Sequence, residues 1–145
     1  MISFALAALL QAPALPDLSD ARWHYVGQSE AVAHYVDANS VVKDGKLASA
    51  LLRFVHFDPA QDRRHNLVRI VAHCERRAYV QREFYRVEAG SVTIAPDDLL
   101  ASVQVPAEFY PMAAATIDLA CDGRAGEPVA DPDEDARRRA AGERG

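Results

Sequence analysis

From Ala21 onward apolar and polar residues alternate in short runs with a period of two, the pattern of strands that bury one face. Trp23 and Tyr25 fall on one side, His24 and Val26 on the other. Gly27-Gln28-Ser29-Glu30 then supplies a turn before Ala31 to Asp37 resumes the alternation, a hairpin that sets His34 opposite Trp23. Asp37-Ala38-Asn39-Ser40 reads as the next turn. Lys43-Asp44-Gly45-Lys46 reads as a tight one, because Asp-Gly accommodates the positive φ that such turns require. Leu47 to Phe57 is a long strand with Ala48, Ala50, Leu52 and Phe54 on one face and Leu51, Arg53, Val55 and Phe57 on the other. The weak polar contrast predicts that both faces are partly covered. Asp58 to His65, with Pro59 and two adjacent arginines, is a polar loop, and Asn66 to Cys74 places Val68, Ile70, Ala72 and Cys74 together on the core side. Glu75 to Glu88 mixes arginine with aromatics. Its Arg, Glu and Gln content makes helix a rival, but the Val and Tyr content and the Ala89-Gly90 turn into Ser91 to Ala95 favour strand.

After Pro96 and a short polar link the period changes. Pro111 to Cys121 is alanine-rich, opens on a proline suited to a first helical turn and ends just before Gly123. Ala113, Ile117, Ala120 and Cys121 lie on one helical stripe, so the helix offers small residues and a thiol to a single surface. Beyond it hardly a large apolar residue remains, and residues 123–145 are expected to be a disordered charged tail, with at most a frayed, salt-bridged helix over Asp131–Arg139.

The N-terminus carries an address rather than a fold element. Ile2 to Leu10 is an apolar run too short to span a bilayer, and Ala12 and Ala14 stand in the small-residue pattern of a cleavage site. Residues 1–14 are therefore expected to be a secretory signal peptide, 15–20 a linker and 21–122 the folded β domain. No cysteine follows the run where an acyl chain could be attached, so a lipid anchor is unsupported. Periplasmic or extracellular residence is the expectation, with no transmembrane span in the mature chain.

Composition is that of one ordinary soluble domain: 50% hydrophobic, 26% charged, 145 residues. The net charge of −5 is uneven, since residues 51–90 hold eight basic and five acidic side chains and residues 91–123 none and five. A basic centre followed by an acidic stretch is either a docking surface or, more simply, attraction between two parts of one fold. An acidic chain without a continuous Lys/Arg patch also argues against nucleic-acid binding. Cys74 and Cys121 are the only thiols; beyond the reducing cytosol a lone pair usually forms a bridge, the alternatives being two free buried cysteines or half of a metal site.

The order of these features resembles the surface-adhesin protein E family of Gram-negative bacterial envelope proteins. The likeness rests on Trp23-His24-Tyr25-Val26-Gly27, Tyr35-Val36-Asp37-Ala38-Asn39-Ser40-Val41, the strand reaching Cys74 with Arg77 just beyond, Tyr85 before Gly90, and the helix ending at Cys121. It spans about residues 21–122. What the resemblance implies is an α+β, mainly β fold: a twisted antiparallel sheet of about six strands with a C-terminal helix held on one face by a Cys74–Cys121 disulfide. It also implies an adhesin-like role toward a protein partner or extracellular-matrix component.

No nucleophile elbow, phosphate loop or dinucleotide fingerprint occurs, and the five histidines (24, 34, 56, 65 and 73) lack metal-ligand spacing. The expectation is a non-enzymatic protein without catalytic residues, metal or cofactor. Tyr79, Arg82, Tyr85 and Arg86, with Arg53 and Arg69 on neighbouring strands, are the candidate partner-binding residues, since arginine and tyrosine are enriched at interfaces. The plainer alternative is that the arginine stems cover the sheet while the aromatics pack. A small-ligand carrier and an unrecognised hydrolase or isomerase are the rival functions.

Overall fold

The computed structural model describes residues 15–61, 65–96, 101, 103–124 and 126–142. The expected signal peptide, and the two adjacent arginines of the polar loop, lie outside the described residues.

The chain forms an antiparallel sheet built as a meander: β1 (Trp23–Gln28), β2 (Val32–Asp44), β3 (Leu47–His56), β4 (Leu67–His73), β5 (Ala78–Glu88) and β6 (Ser91–Ile94) lie side by side in chain order. Two short strands bring the total to eight. β7 (Val105–Pro106) pairs with the start of β5, and β8 (Glu127–Val129) with β1. Helix α1 (Pro111–Asp122) packs on one face, here the near face, and α2 (Pro132–Ala140) on the far face. Because both faces are covered, β3 is apolar on both sides. Ala48, Ala50 and Leu52 enter the near core with Val68, Ile70, Phe84 and the α1 stripe, while Leu51 enters the far core with Trp23, Tyr35, Leu67 and Tyr85.

α1 begins as its sequence predicts, on Pro111, and ends where Gly123 adopts a left-handed φ of 67°; its N–H and that of Arg124 close onto Leu119 and Asp118 carbonyls. Ala113, Ile117, Ala120 and Cys121 are all buried, joined by Thr116 and Leu119.

Four expectations need correction. His34 lies opposite Gly27, and Trp23 opposite Asp37, because the ladder shifts register between Tyr25 and Gly27. The shift brings Gly27 (φ 143°) under α1, where a Cβ would come within 2.7 Å of Met112 Cγ, so only glycine fits. Asp37 to Ser40 is not a turn but an irregularity within the continuous β2. Asp37 Oδ1 accepts from the Arg22 and Asn39 amides (2.8 and 2.9 Å), and Ser40 Oγ accepts from Leu51 N (2.8 Å), so side chains replace ladder bonds there. Residues 15–20 are more than a linker, since Leu18 packs against the far core. Finally, the charged tail is ordered over residues 126–142: β8 extends the sheet and α2 buries Pro132, Ala136 and Arg139. Asp131 caps α2 by accepting from the amides of Asp133 and Glu134, and its acidic first turn and basic last turn both suit the helix dipole.

Candidate functional site

The two cysteines form a disulfide: Cys74, just past β4, and Cys121, in the last turn of α1, have an S–S distance of 2.10 Å and Cα atoms 5.7 Å apart. Charge reinforces the tie. Arg77, at a left-handed φ of 56°, donates to Asp118 and reaches Asp122 at 3.5 Å, and Lys43 Nζ donates to the Cys121 carbonyl at 2.6 Å. Cations at a helix C-terminus meet the negative end of its dipole.

The six candidate partner-binding residues do not assemble into one patch. Tyr79 is buried in the near core, with its phenol pushed up to about 12 by burial. Arg86 alternates with Tyr85 and Val87 and so shares the near side. Arg53, Arg69 and Tyr85 are on the far face. Arg69 pairs with Glu83 (3.2 Å), and Tyr85, buried, donates to the same carboxylate; burial first and then Glu83 raise its pKa. Arg82 is exposed at the register shift in β5. The shift is what splits the set, because it breaks the simple alternation along β5.

On the far face α2 is anchored by charge. Arg139, whose side chain is 2% exposed, bonds Asp135 (2.5 Å) and Glu127 (2.8 Å) and lies 3.3 Å over the Tyr25 ring. Tyr35, fully buried, donates to Asp135 at 2.6 Å; burial and that carboxylate raise its pKa far above the ordinary phenol value. The acids and bases of Asp131–Arg139 predict a frayed salt-bridged helix at most; its docking depends on Arg139 partners in β8 and β1 that the local pattern does not carry. Beside α2, Arg53 stacks over Trp23 (5.8 Å) and pairs with Asp133 (2.9 Å) in the floor of an open groove walled by Leu15, Leu18, Val87 and Val92.

The other half of the far face is different. Across four strands the register lines up Val42, Ser49, Val71 and Val80, and beside them Asp44, Leu47, His73 and Ala78. Val42 is 62% and Leu47 43% exposed, and Ser49, Val71, His73 and Val80 are partly exposed. Among the described residues no helix crosses this half. The sheet edges are short or partly covered at β8 and β5. β8 is three residues long with Pro128 in the middle, and the outer edge of β5 is taken by β7 at one end and β6 at the other.

Between the end of β3 and α2 lies a cavity of about 330 Å³, walled by Val55, Phe57 and Ala136 with His56, Arg137 and Ala140 around it. On the near face a row of rings runs His34–Phe54–His65–Phe84 with centroid separations of 4.9, 6.4 and 4.9 Å. Burial, and then His56, lower the His34 pKa to about 4, so it is neutral at pH 7. Among the described residues no group of three or more His, Cys, Asp or Glu side chains is placed to hold a metal ion. No family model matches the chain, and no curated protein and no solved structure matches it either.

Proposed function

We propose that this chain is an exported protein of the cell envelope with a non-enzymatic binding role, and that its partner is a protein docking on the open half of the far sheet face. The observation that carries the reading is the uncovered row of Val42, Leu47, Val71 and Val80. An apolar surface left bare on an otherwise two-sided sheet is where a soluble domain meets another. Arg69–Glu83 and the exposed Arg82 flank the row and supply polar contacts around an apolar centre. Export is supported by the disulfide, by the apolar N-terminal run and by the order of motifs that resembles the protein E family. No described helix is long and apolar enough to cross a membrane.

Two measurements test this reading. Cell fractionation with thiol labelling should place the protein beyond the inner membrane with both thiols protected until reduction; a cytoplasmic protein with two reactive thiols would end the export proposal. Immobilised extracellular-matrix and serum proteins should retain the wild type but not a Val42→Asp/Leu47→Asp variant. Arg82→Glu should weaken capture, and Arg86→Glu, on the other face, should not. Capture that survives the double substitution would remove the open face from consideration.

A further inference from the structure

Three consecutive arginines in α2 have different fates. Arg138 is paired with Glu134, and Arg139 with Asp135 and Glu127, whereas the side chain of Arg137 makes no hydrogen bond or ion pair among the described residues and lines the cavity at the end of β3. The other polar groups around that cavity differ in how far they are committed. Both ends of the Asn66 amide are used by the Val87 backbone (2.9 and 2.7 Å), and the Asp133 carboxylate is held by Arg53 at 2.9 Å. The His56 ring interacts with groups of its own, which leaves the Arg137 guanidinium as the polar group facing the cavity; the rest of the lining, Val55, Phe57 and Ala136 among it, is apolar.

We propose that this cavity is a binding site for a small organic acid, a carboxylate on an aromatic or short aliphatic body. The apolar walls take the body, and Arg137 takes the carboxylate, a planar match of two N–H donors to two oxygens. The full charge on the guanidinium outweighs the partial negative charge at the C-terminal end of α2, where it sits. Volume limits the ligand. At about 330 Å³ the site lies at the small end of ligand pockets, which suits a body of about ten non-hydrogen atoms. Ligands of that size in a partly open site bind with dissociation constants of about 0.1 mM. The site is separate from the open valine row, and its test requires neither export nor a protein partner.

The experiment is a titration of the purified full chain, followed by backbone amide chemical shifts, with phenylacetate, with neutral 2-phenylethanol and with cationic phenethylammonium. Phenylacetate should saturate, with shifts confined to the end of β3 and to α2; the alcohol should bind about tenfold more weakly and the ammonium not at all. Arg137→Gln should weaken phenylacetate about tenfold and leave the alcohol unchanged. Ala140→Trp, at an exposed position on the cavity rim, should abolish binding of both while leaving the circular dichroism spectrum intact. Lack of saturation by phenylacetate at about 10 mM, or equal binding to the Ala140→Trp protein, would overturn the site. Equal affinity for acid and alcohol would overturn the role given to Arg137.

Discussion

The two helices cover opposite faces of one sheet and are fastened by opposite means. α1 lays a stripe of small apolar residues on the near face and is locked by a covalent bond, with the half-exposed Arg77–Asp118 pair beside it. α2 buries little apolar surface, Pro132 and Ala136, and is held by a polar network centred on the buried Arg139. The difference is between a tie that acts mainly on the unfolded chain and one that acts entirely on the folded state. A disulfide restricts the unfolded ensemble whether or not α1 is docked, while a buried ion network has value only when every partner is in place.

The largest break in this comparison should come from removing the bridge. The cross-link joins positions 47 apart, and in the chain-entropy model a loop of that size contributes about 4 kcal/mol. The Cys74→Ala/Cys121→Ala protein should therefore show a much lower urea midpoint than the oxidised wild type, and reduction of the wild type should reproduce the loss. A midpoint insensitive to reductant would mean that the apolar stripe alone holds α1.

A second effect, on the order of 3 kcal/mol, belongs to the near face and to pH. The folded-state pKa of His34 lies at about 4, below the ordinary value of 6.5, so between those values the unfolded chain binds the extra proton. Stability from this group is present above about pH 6.5, falls as pH drops towards 4 and changes no further below it. Urea midpoints at pH 7 and pH 4.5 should converge in His34→Phe relative to the wild type, since phenylalanine keeps the ring packing on Phe54 without a titrating nitrogen. An unchanged pH dependence would place the acid sensitivity in the carboxylates instead.

For α2, Arg139→Met should cost about 2 to 3 kcal/mol. Truncating one partner of a buried pair leaves the other charge without compensation, discounted here because Glu127 is 58% exposed and can hydrate. The readout that distinguishes the two helices is hydrogen exchange: amides of α2 and β8 should lose protection while those of α1 keep it. Loss of protection in both would show that the two faces fold as one unit.

These differences in fastening also explain what the sequence made legible. α1 announced itself through an apolar stripe, a leading proline and a trailing glycine, all local signals that tertiary contacts only confirm. α2 reads as a solvated tail because a buried arginine is indistinguishable in composition from a surface one, and the partners that bury Arg139, Glu127 of β8 and the Tyr25 ring of β1, lie on other elements. The same limit applies to the candidate residues. Alternation predicts a shared face until a register shift intervenes, and the shift at Arg82 leaves no mark in the residue types around it, so Tyr79 and Tyr85 end in different cores. The open valine row had the same invisibility: Val42, Val71 and Val80 look like core residues, and only the position of α2 leaves them bare.

The smallest expected effect sharpens the comparison at the one place where α1 also uses charge. Arg77 is 38% exposed and its partner Asp118 33%, so water screens the pair, and its contribution should stay below about 1 kcal/mol, unlike that of Arg139. Arg77 also occupies a left-handed backbone conformation, which costs a non-glycine residue about 1 kcal/mol that glycine avoids. Arg77→Ala keeps the strain and loses the pair, and should lower stability by somewhat less than 1 kcal/mol. Arg77→Gly loses the pair but relieves the strain, partly offset by the greater flexibility of glycine in the unfolded chain, and should lie between alanine and wild type. If Arg77→Ala costs well over about 1 kcal/mol in chemical denaturation, the guanidinium is holding α1 more firmly than its exposure allows; if Arg77→Gly proves less stable than Arg77→Ala, the left-handed strain at this position is smaller than the flexibility that glycine adds to the unfolded chain.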